Sequence, residues 1–427
     1  MKYKKKNKKF LCVAENLANK ICSQAYWHEK RCNWVGRSEN FYEDDDQSLP
    51  NISCEALGPN FYDGSSGIAF FLAKLFSITR KEEYGKTAEG AINHSLSQIE
   101  KIPKNQNLGF YYGKIGIIFS AITVGQILKN NKIIEDGHKS LEEIINNKSK
   151  TPHLMDVISG NAGVITPLTY LYRIFKEEKI LNLAKKLGSE IITKADKDET
   201  GWSWGIESNG IENKIHNLTG FSHGAAGMGY GLLELFLETK DNQFLEGAQQ
   251  AFNYEDNWFD SELFNWPDFR IFDEYSNNEK NGENNNFEHA MAWCHGAPGI
   301  GLSRLRAFQV LQDKHYLKDA EFALETVKYF LKYNSEKFPD FSLCHGISGI
   351  SELLIYGSEI LNKSSYYKMA ENMAMDGIKQ YSQYSWPCGV NEGETPGLML
   401  GLAGIGYFFL RLYDPKAIPS VLIITPK

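Results

Sequence analysis

No run of apolar residues in this 427-residue chain approaches the ~20 needed to cross a bilayer, so no transmembrane helix is expected. A secretory signal is lacking too. Met1 to Phe10 carry six lysines, but Leu11 to Gln24 then alternate polar and apolar residues where an apolar core would have to stand. The lysine run reads as a solvated tail; its other reading is attraction to an anionic surface, that is, peripheral membrane association. Positive charge is not in excess. With 46 Lys and Arg against 53 Asp and Glu, the formal net charge is −7, which gives no footing for nucleic-acid binding. Cysteines are few, odd in number (seven) and scattered, which is not a disulfide framework and points to a reducing cytoplasm. Cys12, Cys22 and Cys32 stand ten apart, not at a metal-ligand spacing, and read as ordinary thiols.

What is present is a core and a repeat. Apolar content of 42% and aromatic content of 13% are ample for a large interior. Length alone would allow two or three domains. However, a Gly-x-x-Gly recurs seven times, starting at Gly64, Gly113, Gly160, Gly224, Gly296, Gly346 and Gly401, at spacings of 47 to 72 residues. Each copy opens a run apolar nearly all round, such as Ile68 to Phe76, and a helix apolar on every side is buried on every side. Between these runs lie charged amphipathic segments. Several place an aromatic four residues before an alanine (Tyr84/Ala88, Phe244/Ala248, Tyr316/Ala320, Tyr366/Ala370), on one helix face.

Each unit therefore reads as a buried helix followed by a half-exposed one. Buried helices without polar faces favour closure over an open solenoid. The expected fold is all-α: a closed α/α toroid with about seven inner and seven outer helices. Residues 1–60 are expected to form a tail, an entry helix (roughly Leu11 to Tyr26) and an acidic loop with Glu43-Asp44-Asp45-Asp46, and 61–427 the toroid, one domain overall. The long gaps hold a turn-rich segment, Asp196 to Asn217, and an Asn- and Glu-rich loop, Asp268 to Glu288. The Pro-punctuated end, Tyr413 to Lys427, is expected to dock back on the ring. Glycine in a helix costs about 1 kcal/mol against alanine, so the repeated glycines call for close packing and a tight turn at each inner-helix start. All seven starts then share one end of the ring, where aligned dipoles favour anions.

The chemistry sits in the same frame. Immediately before the first glycine of each unit stand Asp63, Tyr112, Ser159, His223, His295, His345 and Leu400. One position earlier stand Tyr62, Tyr111, Ile158, Ser222, Cys294, Cys344 and Met399. Units four to six thus carry Phe-Ser-His-Gly, Trp-Cys-His-Gly and Leu-Cys-His-Gly in register, with Asp156 close by on unit three. Neighbouring helices pack 8–10 Å apart, so these side chains can converge on one rim. Two thiolates and an imidazole are a familiar zinc set that leaves a fourth position open. Cys294 and Cys344 supply the sulfurs, and His345 or His295 the nitrogen. The bland readings are an inert core thiol, a structural His223 and an N-capping Asp156.

With these motifs the chain resembles the lanthionine synthetase C family of lanthipeptide cyclases, from Tyr62-Asp63-Gly64-Ser65-Ser66-Gly67 to Pro396-Gly397-Leu398-Met399. Gly401 to Gly406 and Ile418-Pro419-Ser420-Val421-Leu422 look more like the cyclase half of class II synthetases. The dehydratase half is absent, so the resemblance implies a separate dehydratase, or a chain that is a fragment. It also implies a double helical ring and a zinc held by Cys294, Cys344 and His345, with His295 a neighbour. His223 and Asp156 match the family's acid/base residues. Some members carry an arginine one turn before Trp-Cys; here that stretch is Glu288-His289-Ala290-Met291, and no arginine is carried across. The expected reaction adds a peptide cysteine to dehydroalanine or dehydrobutyrine in a dehydrated precursor peptide, forming a thioether. The rival from another class is a zinc protein that binds peptide or glutathione thiols without closing rings. A prenyltransferase-like ring fits less well, since its ligand set includes an aspartate.

Overall fold

The computed structural model describes residues 7–40, 51–103, 108–147, 154–205, 216–270, 287–390 and 393–425. The acidic stretch Glu43–Asp46 lies outside them, as do 271–286 of the Asn- and Glu-rich loop, 206–215 of the turn-rich segment and the first six residues of the lysine tail. Among the described residues there are fourteen α-helices. α1 (Lys8–Ser23) comes first. Then follow the pairs α2 (Ser65–Thr79) and α3 (Glu82–Gln98), α4 (Lys114–Leu128) and α5 (Asn131–Asn146), α6 (Asn161–Phe175) and α7 (Glu178–Lys194). The second half holds α8 (Ala225–Thr239) and α9 (Asn242–Asp256), α10 (Ala297–Leu311) and α11 (Lys314–Tyr333), α12 (Ile347–Leu361) and α13 (Ser364–Tyr381), and lastly α14 (Leu402–Tyr413).

The even-numbered helices form the inner ring. Each packs on the next, and α14 returns to α2, so the toroid closes. Their composition demands this: α4, for example, is buried at every residue from Lys114 to Gly125. Each odd-numbered helix leans on an inner one through a single apolar stripe, and all four aromatic/alanine pairs are buried there. α1 packs on α14 and so fills the outer position of the seventh unit. Its successor confirms the equivalence. The hairpin β1 (Tyr26–His28)/β2 (Arg31–Asn33) leads to buried Trp34, whose indole donates to Ile21 O at 2.7 Å. After α7, the hairpin formed by Asp196–Asp198 and Gly201–Ser203 leads to Trp204, whose indole donates to Ile191 O at 3.0 Å. The remaining ribbon pairs β3 (Val35–Asn40) with β4 (Asn51–Ala56), antiparallel; the strands after α7 are β5 and β6.

The first glycine of every motif is the N-cap of its inner helix. The second sits where a Cβ would strike the carbonyl oxygen six residues back, for example 1.8 Å from Phe110 O at Gly116 and 2.0 Å from Trp293 O at Gly299. Any side chain there would push the motif loop off its helix. The loops themselves join in a circuit of backbone hydrogen bonds. Tyr62 N donates to Tyr111 O, Tyr111 N to Ile158 O, and Val157 N to Ser222 O; Ser222 N donates to Cys294 O, Trp293 N to Cys344 O, and Cys344 N to Met399 O. Met399 N closes it by donating to Tyr62 O at 2.7 Å.

The C-terminal segment runs against the inner face of this circuit. Val421 O accepts from the Tyr111 phenol, Leu422 O from the Trp293 indole, Pro419 O from Tyr407 and Ile424 O from Tyr230. Four of its carbonyls are thus satisfied by buried side chains of the ring. Buried Arg411 anchors the segment's start, donating to Pro415 O and Ile418 O while paired with Glu352 of α12 at 2.7 Å. Removing one partner of such a pair leaves an uncompensated buried charge. Arg411→Leu is therefore expected to cost about 3–5 kcal/mol in urea unfolding, and Glu352→Leu placed on top of it to recover part of the loss. A cost below ~1 kcal/mol would show that the pair does not hold the tail.

Candidate metal and acid/base centre

Cys294 and Cys344 occupy consecutive positions in the backbone circuit, and this brings their side chains into hydrogen-bond contact. Cys344 is buried and Cys294 half-buried. The hydrogen bond from Cys344 pulls the Cys294 thiol well below the ordinary cysteine range. Burial opposes this, while Arg270, His345 and His223 add positive potential. Cys344 is driven the other way, chiefly by giving that hydrogen bond and by burial. The Tyr62 phenol donates to the Cys344 sulfur. Two neighbouring sulfurs of this kind are soft donors suited to a cation such as zinc.

His345 is turned with Nε2 3.2 Å from Asp340 Oδ2, and its side chain is 41% exposed. An Nε2–H held by a carboxylate leaves Nδ1 as the nitrogen with a lone pair for a metal, the arrangement that commonly orients ligating histidines. The three donors do not come within 4.8 Å of one another; among the described residues two other groups do. In His138/Glu142/Glu177 both carboxylates are taken by Lys179, and in Asp256/His315/Asp319 the acids face buried Arg304. These are ion-pair networks already closed by a cation. The thiol pair with His345 is the donor set whose chemistry fits zinc.

Asp156 is fully buried and uses both oxygens: Oδ1 accepts from Ser159 N at 2.9 Å, and Oδ2 from His223 Nδ1–H at 2.6 Å. It braces the turn before α6 and at the same time fixes the imidazole tautomer, leaving His223 Nε2 free for proton transfer. The His223 loop is held by Glu255 at the end of α9, whose Oε1 accepts from Gly220 N at 2.8 Å and Ala226 N at 2.9 Å. Glu255 in turn faces Arg304 of α10 at 3.3 Å. The Phe-Ser-His-Gly loop is thereby tied to the helix that follows Cys294 and His295.

His295 stacks 6.0 Å from His223, but it is buried, with Nε2 3.4 Å from Ser222 Oγ and Nδ1 3.8 Å from Asp268 Oδ1. Burial and the nearby Arg270 charge push its pKa down to about 3, so it is a neutral neighbour of the centre. Arg270 was not foreseen. Its guanidinium binds Asp268 at 2.7 and 3.0 Å, and its charge acts on both Cys294 and Cys344. The stretch before Trp293 has no arginine, yet Asp268 N donates to Glu288 O at 2.7 Å, bringing the two ends of the long insertion together beside the thiols. The available signal was that an insertion's ends must meet; an Asp-x-Arg at one end belongs with the Cys-His at the other.

The family model described as lanthionine synthetase C-like protein matches residues 55–423. The lacticin 481/lactococcin biosynthesis protein LcnDR2 of Lactococcus lactis subsp. lactis is 26% identical over 87% of this chain, which spans only 37% of that protein's length. The nisin biosynthesis protein NisC of the same organism is 26% identical over 80% of the chain and 82% of the relative. Glutathione S-transferase LANCL1 of Danio rerio is 22% identical over 83% of the chain and 82% of the relative. Among solved structures, nisin cyclase superposes with a TM-score of 0.60 at 19% identity, covering 86% of this chain and 92% of that one.

The thiol pair generates a direct test. In metal-free protein, alkylation by iodoacetamide is expected to persist below the pH at which ordinary cysteines stop reacting. Both Cys344→Ala and Arg270→Leu are expected to move that profile upward. An unmoved profile in Cys344→Ala would show that the inter-thiol hydrogen bond is not what lowers Cys294.

Proposed function

Because the chain belongs to the lanthionine synthetase C-like family, we propose that it is a zinc-dependent lanthipeptide cyclase, adding a peptide cysteine to dehydroalanine or dehydrobutyrine to form (methyl)lanthionine. The observation that carries this reading is the meeting of two Cys-His-Gly loops, thiol against thiol, beside a histidine already paired to a buried carboxylate. Cys294, Cys344 and Nδ1 of His345 would hold the metal. Zinc, when bound, would lower the pKa of a substrate thiol enough for thiolate to exist near neutral pH. Asp340 keeps the His345 ring oriented, and Tyr62 holds Cys344 in place. As the substrate sulfur bonds to the β-carbon, negative charge passes to the carbonyl and the α-carbon needs a proton. We assign that proton to His223 Nε2, with Asp156, paired to Nδ1, stabilising the imidazolium before transfer. Arg270 and the aligned inner-helix N-termini favour the transient negative charge.

On this reading the substrate is an already dehydrated precursor peptide, and the scattered free cysteines suit a cytoplasmic setting. The likeness to LANCL1 supports a second reading, in which the same centre binds glutathione or peptide thiols without closing rings. A peptide containing one dehydroalanine and one cysteine separates the two. Ring closure consumes the thiol without change of mass, whereas glutathione addition raises the mass and spares the cysteine.

His223→Ala is expected to keep its zinc and slow ring closure by roughly 10²–10⁴-fold, the usual contribution of a general acid or base. Cys344→Ala is expected to lose the metal and the activity together. Ring closure by His223→Ala at the wild-type rate would remove that residue from the chemistry.

A further inference from the structure

Five motif loops close in the same way among the described residues. The first N–H of the inner helix donates to the carbonyl seven residues back: Ser65 to Gly58, Asn161 to Leu154, Ala225 to Leu218, Ile347 to Asp340 and Leu402 to Thr395, at 2.8–3.1 Å. The loop that carries Cys294 and His295 closes differently. Ala297 N donates at 2.8 Å to Oδ1 of Asn265, and Nδ2 of the same side chain donates at 3.1 Å to Ala290 O, the carbonyl seven residues back. A carboxamide thus stands where the other loops have one direct backbone hydrogen bond. Pro298, the next residue of the helix, has no N–H with which to close the loop instead. The backbone yields at Gly296. Its φ is +89°, whereas the six other N-cap glycines lie between −134° and −93°.

We propose that Asn265 is a positioning residue of the thiol centre: its carboxamide wedges the Cys294 loop open, so that the Cys294 sulfur meets that of Cys344 while keeping one side uncovered. The proposal rests on the zinc reading and goes beyond it by naming what shapes the site. The two sulfur loops differ in the expected sense. Cys344, on the directly closed loop, is buried, and Cys294, on the wedged loop, is half-buried. A centre that admits a substrate thiol needs such an uncovered side. Asn265 is itself fixed: it is 4% exposed, its backbone pairs with Asp260 in both directions, and Oδ1 also accepts from Trp266 N at 2.9 Å. Two N–H groups face Oδ1 and a carbonyl faces Nδ2, so the bridge requires an acceptor and a donor on one short side chain.

The test titrates the metal-free full chain with cobalt(II), whose sulfur-to-metal charge-transfer absorption reports bound thiolates. Asn265→Asp fills the same space and keeps the acceptor for Ala297 N, but offers no donor to Ala290 O. It is expected to weaken cobalt binding about tenfold and to lower the charge-transfer absorption per bound ion. Asn265→Ala, which removes both contacts, is expected to weaken binding nearer to a hundredfold. The aspartate variant keeps the test decisive should the alanine variant fail to fold. Wild-type affinity and absorption in Asn265→Asp would overturn the proposal, and so would a lowered melting temperature with both retained, which marks a purely structural residue. Cobalt bound by the wild type without charge-transfer absorption would be a different failure, that of the zinc reading, and would take the proposal with it.

Discussion

The circuit of backbone hydrogen bonds through Tyr62, Tyr111, Ile158, Ser222, Cys294, Cys344 and Met399 is the constraint on which the rest of the molecule depends. Each motif loop takes its place from the loop of the next unit, and the last from the first. The inner helices could be packed at other rotations by hydrophobic burial alone, since burial is non-directional. The circuit removes that freedom. It also makes residues at equivalent repeat positions neighbours in space. Two cysteines fifty residues apart then stand side by side.

Buried charge reinforces the circuit where apolar packing is least specific. Arg306 with Glu234, Arg304 with Glu255, and Arg411 with Glu352 link successive parts of the ring in its second half. Such pairs are weak sources of net stability but costly to leave half-made, so they fix register rather than add strength. Glu255 shows the functional side of this. One carboxylate oxygen holds both ends of the Phe-Ser-His-Gly loop and the other faces the helix that follows Cys294, so the spacing between His223 and the thiols is not left to a surface loop.

Much of this was legible in the sequence because the repeat is strong. Seven glycines placed seven helix starts, apolar runs marked the inner ring, and the position two before each glycine named the residues that the backbone circuit joins. The parts that escaped are non-local. α1 resembles any amphipathic helix; only its packing on α14, and the hairpin-to-Trp34 connection it shares with α7, show it to be the seventh outer helix. Arg270 lies more than twenty residues from Cys294, across an insertion whose composition carries no pattern. Asp340, the carboxylate beside His345 Nε2, precedes it by five residues and stands in no motif.

The central claim is that two thiols and one imidazole of this chain form a zinc site with an open position. X-ray absorption at the zinc edge of the loaded protein tests it most directly. The account predicts a shell of two sulfurs near 2.3 Å and lighter N/O donors at roughly 2.0–2.1 Å, with one light donor displaced by sulfur when a thiol peptide is added. A shell without sulfur, or one already closed by four protein ligands, would contradict it.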